Sequence, residues 1–279
     1  MTNSATRIKN FIEEFKKATS KKAPDAPFIY EEDENLSLHF DPHTIQSVMQ
    51  KSNPESLLLG YTRTMMGFLL FKPVPKSIAM IGLGGGSLAK YCAKYLPNAH
   101  FTAVEINPKV IALRDKFHIP TDGDKFSILQ ADGADYVANK IDIDKVDVLL
   151  VDGFDQNGQP PKLSSMGFYD NCYAKLNEGG VLVVNLHGSH IKFGTFTSRI
   201  RDSFDDKVVV VGCEDDENKI AFAFKDKHFP LSQDDILERL SILAPKHPIP
   251  LHKIAQRIQQ RFNRHISHSE WEHVARIAF

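Results

Sequence analysis

The sequence predicts an α/β fold built on a mainly parallel sheet with helices on both faces. Short, continuously apolar strands alternate with helical segments between residues 77 and 185, which is typical of a parallel sheet that is buried on both sides. A glycine-rich loop at residues 82–86 joins the first of these strands to a helix, and acidic residues follow the next strands. Because such sheets bind ligands at the carboxyl ends of their strands, these features predict a Rossmann-like core that binds a nucleoside.

The chain divides into four predicted parts. Apolar residues on one face of a short helix, followed by lysines and prolines, predict a peripheral helix and a linker. Alternating apolar and polar residues then predict a small β-region, and a longer apolar run predicts a buried helix at 57–71. Beyond the core, apolar residues at helical spacing predict a C-terminal appendage. The parts are 1–27 for the peripheral helix and linker, 28–72 for the β-region and helix, 73–225 for the nucleoside-binding core, and 226–279 for the helical appendage.

Each element is predicted by an apolar run or by helical spacing between turn residues. The predicted strands are 28–30, 36–40, 44–48, 78–81, 100–105, 126–129, 146–151 and 181–185, and a hairpin at 208–211 and 220–224 closes the sheet at one edge. The predicted helices of the core are 88–95, 109–117, 134–139 and 168–176.

Composition excludes several classes of function. The formal net charge is -1, so the chain as a whole lacks the basic character that nucleic acid or an anionic membrane would attract. No apolar run reaches the ~18 residues that span a bilayer, and the N-terminus lacks the apolar core of a signal peptide. The three cysteines, Cys92, Cys172 and Cys213, are far apart and have no metal-ligand spacing. We therefore expect a cytoplasmic protein without a metal site, a nucleic-acid partner or a membrane partner.

The candidate site residues lie at the carboxyl ends of four consecutive predicted strands. Glycines after the first strand let the backbone approach a ligand, and the following helix offers unpaired amide groups. A carboxylate after the second strand can accept both ribose hydroxyls, a pair of features that also suits NAD. A polar side chain after the third strand can bind the edge of an adenine base, and this third feature favours a nucleoside ligand other than NAD. The candidates are Gly82, Gly84, Gly85, Gly86 and Ser87 in the loop, Glu105 after strand two, Asp132 and Gly133 after strand three, and Asp152 and Asp155 after strand four.

Several of these residues form motifs that together resemble one family. The motifs are Gly84-Gly85-Gly86, Val104-Glu105-Ile106, Asp132-Gly133, Asp152-x-x-Asp155-x-x-Gly158, Phe168-Tyr169 and Gly179-Gly180. They resemble the spermidine synthase superfamily, the polyamine aminopropyltransferases, which share the class I methyltransferase fold. Upstream, Ile45-Gln46 is similar to the Val-Gln strand of the family, and Tyr61 is similar to its substrate-contacting tyrosine. The resemblance covers residues 28–225.

The resemblance implies a transferase that moves an aminopropyl group from decarboxylated S-adenosylmethionine to a small diamine such as putrescine, releasing methylthioadenosine. It implies that Gln46, Glu105 and Asp132 hold the nucleoside. It also implies that Asp152 takes a proton from the attacking amine, while Asp155 and Tyr61 anchor the polyamine. This chemistry is sensible, because a primary amine with a pKa near 10 is protonated at neutral pH and needs a base beside it. The resemblance further implies a homodimer.

The loop departs from the family pattern at Ser87-Leu88, where the family has Asp-Gly. The family's aspartate pairs with the amine of the transferred group and disfavours the carboxylate of intact S-adenosylmethionine, so intact S-adenosylmethionine stays open as the co-substrate. Thr62 stands where the family has Gln or His. The loop resembles a diverged spermidine synthase-like branch, some of whose members methylate proteins. Two alternatives therefore remain: a methyltransferase acting on an amine or a protein side chain, and a non-catalytic nucleoside-binding protein.

Overall fold

A computed structural model describes residues 11–13, 26–41, 44–139, 144–154, 158–215, 217–227 and 229–262. Within these ranges the strands form two separate sheets. The strands are β1 (Phe28–Glu32), β2 (Asn35–His39), β3 (Ser47–Gln50), β4 (Ser77–Ile81), β5 (His100–Glu105), β6 (Phe126–Gln130), β7 (Val146–Val151), β8 (Leu176–His187), β9 (Val208–Gly212) and β10 (Asn218–Lys225).

The larger sheet has seven strands among the described residues, in the order β6-β5-β4-β7-β8-β10-β9. Neighbours from β6 to β8 are parallel, whereas β10 is antiparallel to both β8 and β9. Alternate residues of β4 pack into different apolar cores, Ile78 and Met80 into one and Ala79 and Ile81 into the other. The predicted α/β fold and its closing hairpin are therefore confirmed. Strand order reverses between β4 and β7, which is where doubly wound sheets bind ligands.

The smaller sheet joins β1, β2 and β3 in an antiparallel arrangement. Its third strand begins at Ser47 and not at Thr44, as the sequence predicted. The difference arises because Asp41 accepts a hydrogen bond from the Thr44 amide at 2.9 Å, which prolongs the turn before the strand. This turn leaves Gln46 directly ahead of β3, where its backbone oxygen lies 3.4 Å from the Tyr61 hydroxyl.

Helices pack on both faces of the larger sheet, as the alternating pattern predicted. Helix Met166–Lys175 begins where the Ser165 side chain accepts a hydrogen bond from the Phe168 amide, a typical N-terminal cap. The α-helices are Gly60–Met65, Ser87–Tyr95, Pro108–Ile111, Gly133–Ala138, Met166–Lys175, Phe193–Ser203 and Gln233–Leu243, with a further helix at residues 251–262. Two 3-10 helices span Met66–Leu70 and Pro161–Ser164.

Three helical predictions need correction. The apolar run 57–71 is helical only from Gly60, and its second half is a 3-10 helix. Within that 3-10 helix Gly67 packs so closely on Ile254 that an added Cβ would lie 2.8 Å from its side chain. The helix predicted at 109–117 is regular only over Pro108–Ile111, since backbone bonds then shorten to three-residue spacing at Leu113. Helix Phe193–Ser203 was not predicted.

The C-terminal helices pack against the N-terminal part of the chain. Arg239 of helix Gln233–Leu243 donates hydrogen bonds to the carbonyls of Leu70 and Phe71, each at 2.9 Å. These bonds satisfy carbonyls left unpaired where the 3-10 helix ends. Most of the predicted peripheral helix, and the chain beyond residue 262, lie outside the described residues. Across the described ranges, no helix is both long and apolar enough to cross a membrane.

Candidate active site

The candidate site lies at the edge of the larger sheet where its parallel strands end. Ile81, the last residue of β4, pairs with Val104 of β5 and with Val151 of β7. The residues that follow these three positions are therefore neighbours in space. They are the glycine-rich loop, Glu105 and Asp152, as the sequence predicted from their strand-end positions.

Two glycines let the backbone segments of this edge approach closely. Gly82 has a φ of +89°, and a Cβ built on it would lie 2.3 Å from the backbone oxygen of Asp152. A Cβ on Gly133 would lie 2.3 Å from the Ile81 side chain. Both contacts are too short for any side chain, so only glycine fits at either position. The loop is thereby pressed against the backbone that carries Asp152.

The rest of the loop packs under the start of helix Ser87–Tyr95. Gly84 and Gly86 have φ values of +53° and +68°, which favour glycine. A Cβ on Gly85 would lie 2.7 Å from the Ser47 hydroxyl oxygen. That hydroxyl lies 3.2 Å from the hydroxyl of Ser87. The first turn of this helix carries no acidic side chain and no side-chain cap, so no side chain of that turn offsets the partial positive charge of the helix N-terminus.

Glu105 holds the loop in place through both carboxylate oxygens. One oxygen accepts a hydrogen bond from the Leu83 amide at 2.9 Å, and the other accepts one from the Asn107 amide at 2.8 Å. The residue is only 8% exposed. A carboxylate has about four acceptor positions, so two backbone bonds leave acceptor capacity for a ligand hydroxyl.

Asp132 begins the helix Gly133–Ala138. One of its carboxylate oxygens caps the helix by accepting a bond from the Ala134 amide at 2.8 Å, and the other accepts one from Lys162 at 2.9 Å. The hydrogen bond from Lys162 lowers the pKa of the Asp132 carboxyl below its usual range. Lys162 belongs to the 3-10 helix Pro161–Ser164. Its bond to Asp132 therefore holds this short helix next to the carboxyl end of β6.

Asp152 is a partly buried carboxylate at the end of β7. Burial raises its pKa to about 6, although hydrogen bonds from Asn185 and Tyr61 oppose that rise. The Asn185 amide nitrogen donates to one carboxylate oxygen at 2.8 Å. A carboxylate whose charged form is already disfavoured by burial accepts a proton readily near neutral pH.

Tyr61 connects this carboxylate with the smaller sheet. Its single hydroxyl proton is shared between the backbone oxygen of Gln46, which lies 3.4 Å away, and the Asp152 carboxylate, whose pKa this contact lowers. The neighbouring Thr62 is 3% exposed and turns its hydroxyl back to the Leu59 carbonyl at 2.7 Å. Thr62 is therefore engaged with its own helix. Asp155, the remaining candidate, lies outside the described residues.

The structure thus gathers the predicted loop, Gln46, Glu105, Asp132, Asp152 and Tyr61 along one edge. Sequence reasoning missed Ser47, Lys162, Asn185 and Asn218 as parts of this edge. Asn185 left a signal, because it is the one polar residue in the apolar run 181–186 of β8. The local sequence around Ser47, Lys162 and Asn218 gives no such signal, because their positions at this edge depend on tertiary contacts. Among the described residues, no group of His, Cys, Asp and Glu is arranged to hold a metal ion.

Comparisons with known proteins bear on the family and the fold of this chain. A polyamine aminopropyltransferase from Chromobacterium violaceum is 37% identical over 233 residues, covering 83% of this chain and 88% of the relative. Human methyltransferase-like protein 13, solved in complex with SAH, has a TM-score of 0.62 at 21% identity and covers 67% of this chain and 92% of its own. The structure of a probable spermidine synthase from Corynebacterium glutamicum has a TM-score of 0.64 at 18% identity. The match covers 83% of this chain and 91% of the other.

The fold is therefore that of the class I methyltransferases, as the resemblance implied, and the protein is an enzyme of the transferase class. The model of the spermine/spermidine synthase domain matches residues 58–203. Together with the identity to the Chromobacterium relative, this match shows that the chain belongs to the spermine/spermidine synthase family. The family resemblance read from the motifs is confirmed.

Proposed function

We propose that this protein transfers an aminopropyl group from decarboxylated S-adenosylmethionine to a small diamine such as putrescine, with methylthioadenosine as the second product. The observation that carries the proposal is the position of Asp152, whose backbone touches the glycine-rich loop while its carboxylate is held by Asn185 and Tyr61. A base in this position would lie between the proposed nucleoside site and the proposed amine site. Family membership supports the same reaction.

The donor would occupy the loop and the ends of β5 and β6. The glycines allow the backbone to approach the donor, and Glu105 has acceptor capacity left for the ribose hydroxyls. Asp132 and the start of its helix would face the adenine, which requires Lys162 to release or share that carboxylate. Gln46 would contact the nucleoside from the smaller sheet.

The acceptor amine would be held and deprotonated by Asp152. The protonated amine first pairs with the carboxylate, because unlike charges attract strongly in a partly buried site. As the proton moves to Asp152, the nitrogen lone pair attacks the aminopropyl carbon bonded to the sulfonium. The carbon–sulfur bond breaks and its electron pair goes to sulfur, so a neutral thioether leaves without an acid. Tyr61 and Asp155 would anchor the diamine, and positioning supplies much of the remaining rate.

The test is a product assay with the purified full chain. Decarboxylated S-adenosylmethionine and putrescine should give spermidine and methylthioadenosine in equal amounts. Intact S-adenosylmethionine with amine or protein acceptors is run in parallel. Formation of S-adenosylhomocysteine in place of methylthioadenosine would assign methyl transfer and overturn the proposal. Donor binding without turnover on any acceptor would favour a non-catalytic nucleoside-binding protein.

Activity should fall as the pH drops through about 6. The pKa of Asp152 in the folded protein is raised to about 6, and the amine needs the ionised carboxylate, so kcat/KM should show an acid limb there. The stability contribution has the opposite sign. A carboxyl whose folded-state pKa is raised binds its proton more tightly when folded, so its contribution is present below pH 4 and is lost as the pH rises to about 6. A pH profile of kcat/KM checks the prediction, and an acid limb near pH 4 would contradict it.

Ser87 should make donor discrimination weak. The Ser47 and Ser87 hydroxyls and a helix start without acidic side chains would tolerate a donor carboxylate. We expect Ser87→Asp to weaken binding of intact S-adenosylmethionine by about tenfold relative to the decarboxylated form, which corresponds to about 1.4 kcal/mol. Calorimetry with both donors measures the ratio, and Ser87→Ala is the control that removes the hydroxyl without adding charge. An equal ratio in all three proteins would contradict this role.

Three further expectations belong to the proposal. The small diamine would be the main partner, and a homodimer and a cytoplasmic location would accompany it. The division of the chain at residues 27, 72 and 225 also remains a proposal, which limited proteolysis at these boundaries can check. Sedimentation of the full chain at several concentrations distinguishes a dimer from a monomer.

A further inference from the structure

A chain of hydrogen bonds leads from β10 to the carboxylate of Asp152. The amide nitrogen of Asn218 donates to the side-chain oxygen of Asn185 at 2.9 Å, and the amide nitrogen of Asn185 donates to Asp152 at 2.8 Å. Asn185 is 2% exposed and lies in an otherwise apolar stretch of β8. Burying an amide there is costly unless both of its ends are paired, and Asn218 and Asp152 pair them.

The direction of the hydrogen bonds between these three side chains cannot be reversed while Asp152 is ionised. An ionised carboxylate can only accept hydrogen bonds, so Asn185 must turn its NH2 group toward Asp152. Its oxygen then faces the opposite way and needs a donor. Asn218 supplies that donor, which fixes the Asn185 amide in one of its two orientations.

We propose that Asn218 is a positioning residue that acts through Asn185 to keep the Asp152 carboxylate oriented and ionised for the acceptor amine. The inference rests on the proposed function for its catalytic meaning, but the hydrogen-bond geometry stands on its own. With one carboxylate oxygen held by Asn185, the remaining acceptor positions face Tyr61 and the space for the amine. Asn218 itself touches neither the reacting atoms nor Asp152.

The surroundings of Asp152 contain few groups that could act in place of these hydrogen bonds. In the described part of the protein, Tyr61 is the only titratable side chain that affects its pKa, and no charged side chain contributes. On β8 the next side chain of the same face, His187, bonds the Ser189 hydroxyl at 3.1 Å. Ser189 in turn donates to Glu217 at 2.6 Å. These groups adjoin Asn218, because His187 is its register partner across β8 and β10, but none of them contributes to the pKa of Asp152.

The decisive variant is Asn218→Asp. A carboxylate at this position only accepts hydrogen bonds, so the Asn185 NH2 group would turn toward it and present its oxygen to Asp152. Asp152 could then keep a bond to Asn185 only by holding a proton. We expect the acid limb of kcat/KM to move up from about 6 by about one pH unit or more. Relative to the unmodified protein, kcat/KM should be at least about fivefold lower near pH 6, the loss expected from a shift of one pH unit, and within about threefold at pH 9.

Lys219→Gln is the matched control. It changes the net charge by the same amount as Asn218→Asp, and it lies one residue further along β10, where side chains point to the opposite face. Its ammonium group lies over the ring of Phe193, 4.8 Å from the centroid, and not toward Asn185. Equal shifts in the two variants would mean that only the electric field matters, which would overturn the proposal. A loss of activity in Asn218→Asp that is the same at every pH would also overturn it.

A variant cycle tests whether the effect passes through Asn185. Asn185→Leu alone should raise the acid limb, because it removes the bond that favours the ionised carboxylate. In that background, Asn218→Asp should add no more than Lys219→Gln adds. A larger additional shift would overturn the proposed relay, which is the hydrogen-bond path from Asn218 through Asn185 to Asp152. If Asn218→Asp does not fold, Asn218→Leu removes the donor without adding charge and should shift the limb in the same direction by a smaller amount.

Carboxyl carbon NMR separates this inference from the proposed function. The Asp152 resonance is assigned by its absence in Asp152→Asn, and its pKa is read in the protein without substrates. A raised pKa in Asn218→Asp but not in Lys219→Gln supports the relay even if the protein transfers no aminopropyl group. An unchanged Asp152 pKa in Asn218→Asp overturns the relay even if the protein is an active aminopropyltransferase.

Discussion

Asp152→Asn should lower kcat by a factor of about 10² to 10⁴, the usual contribution of a positioned base. The asparagine keeps the size of the side chain and can still meet the amide of Asn185, but it neither pairs with the protonated amine nor accepts its proton. Donor binding should change little, because Asp152 contacts the loop through its backbone oxygen, which the substitution keeps. Steady-state kinetics with saturating donor, together with calorimetry for the donor, separate the two effects.

Asp147→Asn is a matched control on the same strand. Asp147 lies at the other end of β7, where it accepts bonds from the Lys76 amide at 2.7 Å and from Asn177 at 3.1 Å. Removing its charge should lower the thermal stability while kcat stays within about threefold. A fully active Asp152→Asn variant would contradict the assignment of the base. Equal losses in both variants would point to general damage to β7.

The strand ends explain why so much of the site was predictable. In a parallel sheet, residues that follow apolar strands must meet at one edge, so the sequence alone places Glu105, Asp132 and Asp152 together. The glycine-rich loop was predictable for the same reason, since positive φ angles and close backbone approach leave few other residue types. These features depend on local sequence and on one topological rule.

The rest depends on contacts between distant segments. Asn218 acts at the site only because β10 inserts between β8 and β9, an order that apolar runs do not specify. Lys162 meets Asp132 only because the segment after β7 folds back as a 3-10 helix. The predicted helix at 57–71 likewise packs against a distant segment, because Gly67 lies directly against Ile254 of the C-terminal helix. Tertiary packing overrides local propensity at such positions.

Glu105→Gln should be the second most damaging change, because Glu105 acts both on the fold and on the donor. Its two oxygens accept bonds from the amides of Leu83 and Asn107. A glutamine can accept only one of them, and its NH2 group would face the other amide. A buried amide left unpaired costs about 1–3 kcal/mol, so the free energy of unfolding should fall by that amount in thermal or urea denaturation.

Donor affinity should fall further than stability alone explains. If Glu105 accepts the ribose hydroxyls, loss of its charge removes charge-assisted bonds worth about 1.5–3 kcal/mol, and Kd should rise by about 10- to 100-fold. Methylthioadenosine is a suitable probe, because it carries the ribose and adenine but neither the sulfonium nor the amine. Calorimetry below the unfolding transition keeps the stability change out of the measured Kd.

Asp132→Asn separates the ribose from the adenine end of the same site. Asparagine is a good N-terminal cap, so helix Gly133–Ala138 should form normally while the pairing with Lys162 weakens. Its effect on methylthioadenosine binding should therefore be smaller than that of Glu105→Gln. If Glu105→Gln lowers stability but leaves the Kd unchanged, Glu105 is an anchor for the loop and not a ribose ligand. If both properties change, the same carboxylate that shapes the loop also reads the donor, and the fold and the substrate site share one residue.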